Sequence, residues 1–105
     1  MCGIFTLLNS IVHIDTIEKA FNRGWKRGPE SNRLLIDNTK SFALGFHRLA
    51  INGYKNPQSD QPLKINDCIL ICNGEIYNWK KLHTNLKIPM STGSDCEIII
   101  HLYKK

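Results

Sequence analysis

Apolar positions along the chain fall into short runs and two stripes of helical period. Gly3 to Leu8 is an apolar run rich in strand formers, and predicts a buried strand. Ile17, Ala20, Phe21 and Trp25 recur at helical spacing. They predict an amphipathic helix over 16–25, opened by a capping box at Asp15-x-x-Glu18 and ended by Gly24, Gly28 and Pro29. Arg33 to Asp37 and Phe42 to Ile51 read as two strands of one hairpin, with Asp37-Asn38 in the turn. Residues 52–62 carry Gly53, Asn56, Pro57, Ser59, Asp60 and Pro62, and read as a loop. Cys68 to Cys72 is almost purely apolar, which predicts a strand buried on both faces, stopped at Asn73-Gly74. Asn78 to Leu86 reads as a short helix. A second capping box, Ser94-x-x-Glu97, opens a last helix with Ile98, Ile99, Leu102 and Tyr103 as its apolar stripe. The order β-α-β-β-β-α-α predicts an α+β protein with sheet and helix layers.

At 105 residues the chain has room for one small domain with a modest core. No apolar run approaches a membrane span, and no secretory leader stands at the start. The net charge of +5 raises the question of nucleic acid. The basic residues are dispersed as Arg23/Lys26/Arg27, Lys80/Lys81 and Lys104/Lys105, without aromatic interleaving, and read as solvated surface. Cys2, Cys68, Cys72 and Cys96 form neither a CxxC pair nor a zinc-spaced cluster. A reducing, cytoplasmic setting suits them better than a disulfide framework, and no metal site is expected.

Four places carry candidate chemistry. Cys2 follows the initiator methionine directly. Once Met1 is removed, Cys2 holds a thiol and a free α-amine on one carbon. An α-amine titrates at roughly 7.7–8.0, close to a free thiol at about 8.5, so it can serve as the thiol's own base. The alternative is a small residue buried at the head of a strand. Arg48 interrupts the apolar stretch Phe46-His47-Arg48-Leu49-Ala50-Ile51. It either snorkels to the surface or offers its planar fork to a carboxylate. Asn73-Gly74 is either a plain turn or a side-chain amide beside an unshielded N–H, the parts of an oxyanion hole. Asp95, in the first turn of a helix, is either a capping acid or a counter-ion for an ammonium group.

Six motifs in order carry a resemblance. They are Met1-Cys2-Gly3-Ile4-Phe5, Arg27-Gly28-Pro29-Glu30-Ser31, Phe46-His47-Arg48-Leu49-Ala50-Ile51, Gln61-Pro62-Leu63, Asn73-Gly74-Glu75-Ile76-Tyr77-Asn78 and Thr92-Gly93-Ser94-Asp95-Cys96-Glu97. The series resembles the class II glutamine amidotransferase domain, an N-terminal-nucleophile hydrolase, in the wording of glutamine-hydrolysing asparagine synthetases. The resemblance implies glutamine as substrate and hydrolysis of its amide to deliver ammonia. Cys2 would be the nucleophile, and Asn73 and Gly74 the oxyanion hole. Arg48 would take the α-carboxylate, backbone at Ile51 and Asn52 would line the site, and Glu75 and Asp95 would hold the amino end. Lys26 and Glu30 stand where the family usually has His and Asp, and Asn52 where it has an apolar residue.

The family domain is roughly twice as long, a sandwich of antiparallel sheets between helices. The 105 residues are similar to its first half only, so exposed sheet edges and an open core are expected. The resemblance implies no cofactor in this chain, since ATP and magnesium belong to a synthetase domain with no counterpart here. It implies a separate synthetase or acceptor subunit as partner, or a chain that supplies the missing strands. The alternative reading is a non-catalytic remnant or a glutamine-binding, regulatory module.

Overall fold

A computed structural model describes residues 2–9, 12–37, 39, 41–49 and 59–105. Its elements run β1 (Gly3–Leu8), α1 (Ile14–Asn22), a 3-10 turn (Trp25–Arg27), β2 (Ser31–Asp37), β3 (Phe42–Arg48), β4 (Leu63–Ile65), β5 (Cys68–Leu70), α2 (Trp79–Leu86) and α3 (Glu97–Lys104). The architecture is mixed α and β, with antiparallel sheets and flanking helices.

The larger sheet has the order β1-β3-β2, all antiparallel, so the predicted hairpin of β2 and β3 forms and β1 adds to its other side. At the turn, the Thr39 backbone N–H donates to Asp37 Oδ1 at 3.0 Å, a local bond that fixes the reversal. Alternation along the strands puts Phe5, Ala43, Gly45 and His47 on the face toward α1. Ile17 and Phe21 of the helix are buried there. Phe21 meets Phe5 edge-on at 5.9 Å and stacks on His47 at 4.1 Å between centroids. This fit depends on Gly45: a Cβ at that position would lie 2.5 Å from the Phe21 ring.

Arg48, Phe46 and Cys2 belong to the opposite face, where Cys2 lies across from Arg48 if the β1–β3 register is carried one step further. That face is only partly covered. Ile4 is 52% exposed and Leu8 62%, so β1, which reads as a buried strand, is open on this face. The second sheet is the short pair β4–β5, with Leu63 opposite Leu70, and α3 packs against β5 and α2.

Several element readings need correction. Helix α1 starts earlier than 16–25, with His13 as its N-cap, whose Nδ1 accepts from the Asp15 N–H. Asp15 is therefore inside the first turn rather than the cap. The helix stops at Asn22, and Trp25 sits in the 3-10 turn, half exposed instead of in the stripe. Strand β3 ends at Arg48, and Ala50 and residues 51–58 lie outside the described residues. Strand β5 is three residues long and half-buried, because β4 is its partner on one side and α3 covers one face only. In α3 the buried side chains are Glu97, Ile98 and Ile100, while Leu102 and Tyr103 are exposed. A run of three isoleucines hides its own period, so the facing side was decided by the packing against α2 and β5. The Ser94 box is also different: Ser94 Oγ accepts from Cys96 N–H at 3.2 Å, and Glu97 turns into the core.

Candidate active site

The segment Cys72–Ile76 leaves β5 and crosses in front of the β1–β3 end. It is held at both ends and in the middle by side chains from distant parts of the chain. At its start, the Gln61 amide bonds both backbone groups of Cys72. At its end, Asp95 Oδ2 accepts from Ile76 N–H at 2.6 Å. Between them, Asn73 Nδ2 donates to the Cys2 carbonyl at 3.0 Å, and the Cys96 thiol donates to the Gly74 carbonyl at 3.6 Å.

The result is a cleft of about 570 Å³ whose wall includes Cys2, Arg48, Asn73, Gly74 and Asp95. That volume lies within the range of small-molecule sites. Five residues spread over the sequence from position 2 to position 95 thus meet at one place. Glu75 is exposed and is not part of that wall. Ile51 and Asn52 fall outside the described residues.

The Cys2 sulfur lies against the backbone just beyond β3. Leu49 N–H donates to it at 3.3 Å, and the thiol can donate to the Leu49 carbonyl at 3.6 Å. The side chain is half-buried and unoxidised. Cys2 is thereby fixed by its neighbour strand on one side and by Asn73 on the other.

Arg48 neither snorkels freely nor points alone into the cleft. Its Nη1 donates to Asp60 Oδ1, and both side chains are more than four-fifths buried. Asp60 is in turn held by β2: Arg33 Nη1 donates to its carbonyl at 2.7 Å and Ser31 Oγ to Oδ2 at 3.3 Å. The guanidinium has five N–H donors in one plane, so a bond through Nη1 sets the orientation of that plane at the cleft wall. The Arg27-Gly28-Pro29 stretch supports the same strand end. A Cβ on Gly28 would lie 2.3 Å from the His47 carbonyl oxygen, and Glu30 N–H donates to the Arg48 carbonyl at 3.2 Å.

The loop carrying Asp95 is built on Glu97. This carboxylate is fully buried and accepts from the backbone N–H groups of Ser91 and Thr92, from both their hydroxyls, and from His101 Nε2 at 3.0 Å. Burial alone would raise its pKa, but the hydrogen bonds from His101, Thr92 and Ser91 outweigh that and bring it down to about 2. Next to it, burial pushes the Cys96 thiol far above its ordinary range, and the nearby Asp95 charge and Cys72 add to the effect. Burial and the Asp95 charge thus favour the protonated thiol at Cys96.

Four contributors to this geometry have no counterpart in the sequence reading. His47 is 2% exposed, with Nε2 on the Phe21 carbonyl at 2.9 Å and Nδ1 on Asn32 Oδ1. Asp60 and Gln61 sit in what reads as a breaker-rich loop. Glu97 reads as a capping residue. The signal available was that His47, Gln61 and Glu97 lie within motifs that carried the resemblance, without a role attached to any of them.

Among the described residues, no helix is long and apolar enough to cross a membrane. A family model described as a glutamine amidotransferase domain matches residues 1–105. A probable glutamine-hydrolysing asparagine synthetase of Dictyostelium discoideum is 40% identical over 114 aligned residues, covering 99% of this chain and 20% of the relative. A glutamine-hydrolysing asparagine synthetase of Arabidopsis thaliana is 41% identical over 113 residues, with 100% and 19% covered. That of Bos taurus is 34% identical over 107 residues, with 100% and 19% covered. The chain spans about a fifth of the length of these relatives. With the family model matching from end to end and identities of this size over the whole chain, the protein belongs to the glutamine amidotransferase family.

Proposed function

We propose that this chain binds glutamine in the cleft and hydrolyses its side-chain amide, with Cys2 as nucleophile. Removal of Met1 frees the Cys2 α-amine, which takes the thiol proton. The sulfur attacks the δ-carbon of glutamine, and the carbonyl oxygen becomes an oxyanion that Asn73 Nδ2 and the Gly74 N–H stabilise. The C–N bond then breaks and the amide nitrogen leaves as ammonia, carrying the proton passed back from the α-amine. Water hydrolyses the remaining γ-glutamyl thioester and releases glutamate and the Cys2 thiol. Arg48 pairs with the substrate α-carboxylate. Asp95 and Glu75 take the α-ammonium, and backbone at Ile51 and Asn52 lines the same end.

The observation that carries this reading is the meeting of Cys2 and Asn73 in one cleft with Arg48 and Asp95, in a chain of this family. The cation and the anion suit the two charged ends of an amino acid, and the thiol and the amide suit the carbonyl farther along it. In the same proposal the fold is the first part of an N-terminal-nucleophile hydrolase sandwich. The ammonia passes to an acceptor site outside these 105 residues, on a synthetase unit, with ATP and magnesium handled there. The setting is the reducing cytoplasm, where a free thiol persists.

Intact mass before and after treatment with an electrophilic glutamine analogue tests the assignment. The expected result is loss of the methionine mass and one adduct on Cys2, blocked by excess glutamine, with ammonia release abolished in Cys2→Ala. Unchanged release in that variant sinks the mechanism. Glutamine-dependent thermal stabilisation without ammonia release identifies a binding module instead.

A further inference from the structure

Gln61 has no part in the chemistry above, yet it is a buried polar side chain, 6% exposed, on the wall of the same cleft. Its amide group closes on a single residue. Oε1 accepts from the Cys72 N–H, and Nε2 donates to the Cys72 carbonyl at 3.0 Å. Exchange of both backbone bonds with one residue is what an antiparallel strand does for its hydrogen-bonded partner. Strand β4 does not reach this far, since its pairing with β5 ends at Leu63 and Leu70. One side chain therefore stands in for a strand at the residue that directly precedes Asn73 and Gly74.

The bonded carbonyl belongs to the same rigid peptide plane as the Asn73 N–H. Fixing it fixes where Asn73 begins, and Asp95 fixes where the segment ends, at Ile76. At neutral pH a primary amide of this reach offers a donor and an acceptor on one planar group. An ionised carboxylate keeps the acceptor and loses the donor, and leucine loses both.

We infer that Gln61 is a positioning residue for the oxyanion donors, acting through the backbone of Cys72. The inference rests on the glutaminase reading for its kinetic consequence, and on the two hydrogen bonds for its structural one. Gln61→Leu is expected to lower kcat for glutamine by about 10- to 100-fold with KM within about twofold, because the donors act on the transition state and small misplacements at a reacting centre have effects of this size. Gln61→Glu is the informative partner. At pH 8 its carboxylate cannot donate to Cys72, and as the pH falls through the carboxyl range the protonated form regains both bonds. The ratio of its kcat to that of the unmodified protein should therefore rise toward acid. A flat ratio, or kcat and KM that change only with the folded fraction, refutes the positioning role.

Amide hydrogen exchange at Cys72 gives a readout independent of turnover. It should quicken about tenfold or more in Gln61→Leu at matched global stability, through loss of the local bond. If the unmodified chain releases no ammonia, the glutaminase reading fails while this exchange still decides the role of Gln61. Unchanged exchange overturns it.

Discussion

Asn73 Nδ2 donates to the backbone carbonyl of Cys2 at 3.0 Å, across a separation of 71 residues. A primary amide nitrogen has two N–H groups. With one anchored on the Cys2 backbone, the other starts from a point fixed relative to Cys2. The bond thus places the donor relative to Cys2 rather than relative to the fold at large. Under the proposed mechanism, Asn73→Ala is expected to reduce kcat for glutamine hydrolysis by about 10²–10³-fold, the usual effect of removing one oxyanion donor, with little change in KM. Steady-state kinetics check this, and a variant that changes only KM would place Asn73 in substrate binding instead.

The four thiols should separate by reactivity. Cys2, Cys68 and Cys72 are half-buried, while Cys96 is 2% exposed and held in its protonated form by burial and by Asp95. Since the thiolate is the reactive species, alkylation of the native protein at neutral pH should leave Cys96 at least about tenfold behind the other three. Peptide mass mapping with time reads the order. Equal rates for Cys96 and Cys68 would contradict the packing around α3.

Glu97 links acid stability to the Asp95 loop. Its folded pKa of about 2 lies below the ordinary value of 4.5. A depressed carboxyl pKa contributes stability above the unfolded value, and that contribution is lost as the pH falls toward the folded one. The displacement sets an upper limit of roughly 3 kcal/mol. The melting temperature should therefore fall between about pH 4.5 and pH 2. Glu97→Gln should melt lower at pH 7 and show a flatter acid limb, because its NH2 would face the N–H donors of Ser91 and Thr92. Thermal melts across that window are sufficient. A Glu97→Gln profile parallel to that of the unmodified protein would remove Glu97 as the group responsible.

Gly28 is fixed by space. The atoms a Cβ would strike are the His47 carbonyl oxygen at 2.3 Å and the His47 and Arg48 carbonyl carbons at 2.4 Å. All are backbone, so no side chain can turn aside. Gly28→Ala should destabilise the protein by about 1–3 kcal/mol and shift the strand end that holds Arg48, raising KM for glutamine. A melting temperature within a degree or two of the unmodified protein would show that the approach is looser than described.

The elements that local chemistry specifies were legible from the residues. The strand at β1, the hairpin of β2 and β3 with its Asp37 turn, and helix α2 follow from short-range pattern. The cleft residues Cys2, Arg48, Asn73, Gly74 and Asp95 were each visible as a costly or special group at its own position. Where pattern failed, a distant partner had decided. Glu97 has the spacing of a cap, but the donors of the 91–92 loop and His101 make a buried hub of it. The isoleucine run of α3 carries no period of its own, so β5 and α2 chose the buried side.

The sequence by itself determined the family, most of the element types (β4 was not read) and the candidate groups, because those depend on residue identity and local order. Only the tertiary structure decided how the groups are held. Asp60 meets Arg48 because β2 ties it down through Arg33 and Ser31. Gln61 reaches Cys72 because β4 stops short of it. Such contacts are side-chain bonds between segments far apart in the chain, where hydrogen-bonding need and available space select the partner. No spacing along the sequence encodes that selection.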